Sequence, residues 1–84
     1  MTEQEFSVLD ELYFLVSFEE LSQSTDLPSE ELLSVLAALH HQGYLRCYAR
    51  PEEELEAGQT NIRNQGKNYY YLASKAGLLA HNSR

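Results

Sequence analysis

Cations are scarce in this 84-residue chain: six Lys and Arg stand against thirteen Asp and Glu, a formal net charge of −7 at pH 7. That deficit argues against nonspecific affinity for nucleic acid or an anionic membrane, because both attract through summed positive charge. Cysteine occurs once, which excludes an intramolecular disulfide framework and fits a reducing, cytoplasmic setting. No apolar run approaches the roughly 20 residues a membrane span needs. Met1-Thr2-Glu3-Gln4-Glu5 is acidic where a secretion signal would be basic. The chain also lacks a phosphate-cradling glycine loop and a nucleophile motif, so it reads as non-enzymatic and free of cofactors. Metal binding is equally unsupported. His40 and His41 are neighbours about 100° apart on a helix, and Cys47 and His81 add no ligand spacing. The glutamates at 52–54 and Glu56 lack the alternating oxygen ligands and central glycine of a calcium loop.

Apolar residues make up 43% of the chain and charged residues 23%, enough for one small domain over residues 1–84. Charge is distributed unevenly. The first fifty residues carry Glu3, Glu5, Asp10, Glu11, Glu19, Glu20, Asp26, Glu30 and Glu31 against only Arg46 and Arg50. From residue 51 onward, Glu52, Glu53, Glu54 and Glu56 are balanced by Arg63, Lys67, Lys75 and Arg84.

Thr2-x-x-Glu5 is a capping box, and Phe6, Leu9, Leu12, Tyr13 and Val16 recur at helical spacing, predicting a helix over about 3–16. Ser17-x-x-Glu20 repeats the box and starts a short second helix that carries Leu21 inward. Pro28 separates it from a third helix over about 29–42, whose stripe is Leu32, Leu36 and Leu39 and which Gly43 ends. The period then falls to two. Leu45, Cys47 and Ala49 alternate with Tyr44, Arg46, Tyr48 and Arg50, and Tyr69-Tyr70-Tyr71-Leu72 supplies a second strand. The polar connection at about 51–67 is long for a hairpin and reads as a mobile loop. Ser74 caps a short terminal helix. The expected core centre is Leu9, Leu12, Val16, Leu21, Leu32, Leu36, Leu39, Leu45 and Tyr71, with Cys47 a small buried apolar residue rather than a nucleophile.

Two stretches carry a family likeness. Leu32 to Leu45, read Leu-x-x-x-Leu-x-x-Leu-x-x-x-Gly-Tyr-Leu, resembles the recognition helix and wing strand of the winged helix-turn-helix superfamily. Tyr71-Leu72-Ala73-Ser74-Lys75-Ala76-Gly77-Leu78-Leu79 resembles the closing motif of MarR-like and PadR-like regulators, with Ser74 in place of their capping Thr and Ala73 in place of the usual Leu. The resemblance implies an α+β fold: a three-helix core, a two-stranded antiparallel wing and a short C-terminal helix. It also implies that the third helix reads DNA.

Against that role, the outward positions of this helix are Glu30, Glu31, Ser34, Ala38, His41 and Gln42, and none is Lys or Arg. Ser34 and Gln42 are suited to bases, and Arg63, Lys67 and Lys75 to phosphates or a minor groove, but little positive charge supports them. Five of the six tyrosines fall on the two strands, and Tyr with Arg is enriched at protein interfaces. Tyr44, Arg46, Tyr48, Arg50 and Tyr70, with Glu30, Glu31 and His41 on the third helix, are therefore the expected contacts for a protein partner or a second copy. Duplex binding through the wing and third helix is the alternative.

Overall fold

A computed structural model of the chain describes residues 1–83. Helix α1 (Glu3–Asp10) starts at Thr2, whose hydroxyl accepts from the Glu5 amide while the Glu5 carboxylate accepts from the Thr2 amide. It ends earlier than the apolar spacing predicts. Tyr13 is exposed, and Val16 leaves the helical path to join strand β1 (Val16–Ser17), paired with Tyr71. Helix α2 (Phe18–Thr25) starts on the Ser17/Glu20 capping box and stops at Asp26, which takes a left-handed conformation. Helix α3 (Ser29–His41) follows, and Gly43 turns the chain at φ +78° into strand β2 (Leu45–Arg50).

The connection expected to be a mobile loop is folded. It forms strand β3 (Glu53–Leu55), a 3-10 turn (Ala57–Gln59), helix α4 (Ile62–Gln65) and a second 3-10 turn (Gly66–Asn68). Strand β4 (Tyr70–Ala73) and helix α5 (Lys75–Asn82), capped by Ser74, complete the described chain.

The described residues thus form an α+β fold, with five helices and four strands rather than a two-stranded ribbon. The sheet is antiparallel in the order β1-β4-β2-β3. Residues directly opposite on paired strands share a face, so its register writes two rows across all four strands. The inner row is Val16, Tyr71, Cys47 and Leu55; the outer row is Ser17, Tyr70, Tyr48 and Glu54. Tyr71 and Cys47 are fully buried in the core. That core combines Val8, Leu9 and Leu12, Phe18 and Leu21, the α3 stripe, Leu45 and Ala73. Eight of the nine expected core residues are buried, and Val16 packs against them half-buried. Leu33 and Val35 widen the buried side of α3 beyond the expected stripe, and Ile62 of α4 joins the core. Buried Gly66 lies where an added Cβ would stand 2.6 Å from Leu33 Cδ2. The Tyr71 hydroxyl donates to the Gly66 carbonyl at 2.7 Å, which pins the connection from beneath. No helix among the described residues is long and apolar enough to cross a membrane.

Candidate interaction surface on the outer sheet face

The two central strands β4 and β2 place Tyr70 and Tyr48 directly opposite each other, with no helix residue between them in the row. Both rings are half-buried, which is what a cross-strand aromatic pair on an open face produces. Arg46, two residues before Tyr48 and therefore on the same face, holds its guanidinium 5.7 Å from the Tyr48 ring centroid. The same guanidinium donates to both Glu54 oxygens, from Nε at 2.8 Å and from NH2 at 2.7 Å. That two-pronged bond holds the Glu54 carboxyl below the usual carboxylate range and raises the arginine above its ordinary value. Arg50 pairs with Glu53 at 3.2 Å. Both pairs are solvent-exposed and worth little in stability. Their consequence is electrostatic: the positive charge of the ribbon is consumed by the glutamates of β3. Those glutamates also blunt the sheet edge, since a short, charged edge strand discourages pairing with another chain.

The expected contact residues fall on separate surfaces. Arg46, Tyr48 and Tyr70 come together on the outer face, with Leu72 opposite Arg46. Arg50 lies at the far end of β2, against Glu53. Tyr44 is half-buried below the start of β2, where its carbonyl accepts from the Ser74 amide and closely approaches Gly77. Glu30, Glu31 and His41 are exposed on α3, whose opposite side is buried in the core, so they belong to the helical surface and not to the tyrosine face. Beside His41, burial holds half-buried His40 below the ordinary imidazole range, with a smaller contribution from His41 itself.

The residues suited to nucleic acid are likewise dispersed. Ser34 is exposed on α3. The Gln42 side chain donates to Glu5 Oε2 at 3.0 Å and to the Ala38 carbonyl at 3.1 Å, tying α3 to α1 rather than reaching outward. Arg63 sits on α4, Lys67 precedes β4 and Lys75 follows it. These three are exposed, with Lys67 and Lys75 flanking opposite ends of a strand, whereas Arg46 and Arg50 are paired with the glutamates of β3.

One cluster has no counterpart in the sequence reading. His81 of α5 stacks on Phe6 of α1 at 4.2 Å between centroids and meets Tyr13 edge-on at 5.4 Å. The Tyr13 hydroxyl donates to Asn82 Oδ1 at 2.9 Å and lies 2.8 Å from His81 Nδ1. The side chain of His81 is 10% exposed, and its buried Nε2 makes no hydrogen bond although Asp10 Oδ1 is 3.3 Å away. Phe6, Asp10 and Tyr13 follow helical spacing, but nothing in the sequence links them to a residue seventy positions on.

No family model, curated protein or solved structure matches the chain.

Proposed function

We propose that this chain is a non-enzymatic binding module of the winged-helix, transcription-regulator type, acting through protein–protein contacts on the outer sheet face. The element order supports the fold assignment: three helices lead into a strand, a connection, a second strand and a terminal helix, with β1, β3 and α4 added to that frame. The observation that carries the functional reading is the Tyr48–Tyr70 pair beside an Arg46 already neutralised by Glu54. Aromatic and guanidinium surface is present there, while the charge needed to hold phosphates is cancelled. The partner is a second copy or another protein in the same cytoplasmic compartment.

Sedimentation of the purified chain, with affinity capture from its source lysate, tests this. A dimer or a captured protein that is lost in Tyr48→Ala and Tyr70→Ala, yet retained in Glu30→Gln, supports the reading. A strict monomer that captures nothing overturns it.

Exposed Arg63 and Lys67, which make no ion pair among the described residues, favour a second reading in which the wing region contacts duplex DNA. It requires salt-sensitive binding that falls in Arg63→Ala and Lys67→Ala. No binding at low salt on a broad duplex library eliminates it.

A further inference from the structure

Helix α5 is held differently at its two ends. At its start the Ser74 hydroxyl caps the first turn, and buried Gly77 lies against the Tyr44 carbonyl. Past Gly77 the helix sits shallowly: Leu78 and Ala80 are half-buried and Leu79 is exposed. At its far end His81, with a nine-tenths-buried side chain, stacks on Phe6 and reaches Tyr13 and Asp10.

Counting protons shows where the imidazole carries its hydrogen. The Tyr13 hydroxyl has one proton and donates it to Asn82 Oδ1 at 2.9 Å. Toward His81 Nδ1, 2.8 Å away, it therefore accepts, and Nδ1 holds the hydrogen. A neutral ring has a single N–H, which leaves Nε2 a bare acceptor. Nε2 is buried, makes no hydrogen bond and lies 3.3 Å from a second acceptor, Asp10 Oδ1. Facing acceptors repel, and a buried one without a donor costs stability. A proton on Nε2 removes both faults and makes the contact a charge-assisted hydrogen bond. The Phe6 face on which His81 stacks also favours a cation, whereas burial of the ring opposes one.

We propose that His81 and Asp10 form a proton-operated latch between α5 and α1, closed when His81 is an imidazolium and loosened when it is neutral. Histidine ordinarily changes charge between about pH 5 and 8, and carboxylates do so lower, at about pH 4. The stability from the pair is therefore present at the acid end of that window and lost as the pH rises through the His81 titration. The other ionisable groups on the elements packed against α5 stand further along them. On α1, Glu3 lies two turns before Asp10, Glu5 is engaged by Thr2 and Gln42, and Glu11 follows at the cap. Strand β4 presents Tyr70 and buried Tyr71, Met1 lines a cavity with Ala80 and Ser83, and Lys75 occupies the opposite end of α5. The latch is independent of the tyrosine face.

The test is Asp10→Asn in the full chain. Its amide can donate to a neutral Nε2 but cannot offset an imidazolium, so it reverses the proton preference. Urea unfolding at about pH 5.5 and about pH 8 compares it with the unsubstituted chain. Removing the Asp10 charge also relieves the α1 C-terminus, but equally at both pH values. Titration of His40, His41 and the amino terminus is common to both chains and cancels. The ratio of folding constants, unsubstituted over Asp10→Asn, is expected to be about threefold to tenfold greater at the lower pH, a range set by a carboxylate that is partly exposed. In a His81→Phe background, which keeps a ring on Phe6 without a titrating nitrogen, that ratio becomes independent of pH. Nitrogen-15 magnetic resonance of the unsubstituted chain reads the ring directly, with hydrogen on Nδ1 alone at high pH and on both nitrogens at low pH. Hydrogen on Nε2 alone at high pH, a ratio that is constant or moves in the opposite sense, or a pH dependence that survives His81→Phe each overturns the proposal.

Discussion

The buried hydroxyl of Tyr71 donates a 2.7 Å hydrogen bond to the carbonyl of Gly66, joining the inner face of the sheet to the end of the connection that follows β3. Burial, with smaller contributions from Cys47 and Tyr69, pushes the Tyr71 hydroxyl far above the usual phenol range, so it remains a donor at every physiological pH. Tyr71→Phe keeps the ring and strands the Gly66 carbonyl. A loss of about 1–3 kcal/mol is expected, the cost of leaving a buried acceptor unsatisfied. Urea unfolding measures it, and an unchanged midpoint would show that the bond is unimportant to the fold.

Gly77 and Gly66 both exclude a side chain, but with different tolerance. An added Cβ at Gly77 falls on the Tyr44 backbone carbonyl, which the Ser74 amide also holds in place. At Gly66 it meets the flexible end of Leu33 and the Tyr71 hydroxyl. Alanine at a helical glycine ordinarily gains about 1 kcal/mol. Here overpacking, typically about 1–3 kcal/mol and more against backbone, wins. Gly77→Ala is expected to destabilise more than Gly66→Ala, and a melting temperature in the opposite order refutes the packing argument.

Cys47 is buried on β2, and desolvation, aided by Glu54, pushes its thiol up to about 12 from 9.0. The neutral thiol is therefore the folded form. Because the folded pKa is raised, this contribution to stability is complete below pH 9 and is lost as the pH rises toward 12. Thiol-reactive reagents should label the native chain very slowly at pH 8 and the urea-unfolded chain quickly. Rapid native labelling would place Cys47 at the surface.

Glu54 has the opposite sign. The hydrogen bonds from Arg46 depress its folded pKa below the reference 4.5, so the stability from this pair is present above that value. It is lost as the pH falls below 4.5 through the depressed folded pKa. The chain and its Glu54→Gln variant should therefore differ slightly at neutral pH and converge in acid, with added salt narrowing the gap. A difference that grows on acidification contradicts the assignment.

Local chemistry made the helix starts legible. Thr2, Ser17 and Ser74 each cap with a hydroxyl exactly where the residue types predict, because a cap is satisfied within one turn of its own chain. The stripe of α3 and the alternation of β2 follow for the same reason. The end of α1 was not legible: Val16 sits at helical spacing from Leu12, but pairing with Tyr71 outweighs that periodicity. Strand β3 is short and acidic, α4 has four residues, and neither carries a periodic signal.

The sequence by itself determined the acidic balance, the helix starts, most of the core and the alternating faces of β2, since these depend on residue type and on neighbours within a few positions. Only the tertiary structure decided which cations remain available, that the tyrosine face and the outer side of α3 are separate, and that His81 meets Phe6, Tyr13 and Asp10. Pairing across strands and packing between chain ends are contacts between distant positions, and a linear pattern does not specify their partners.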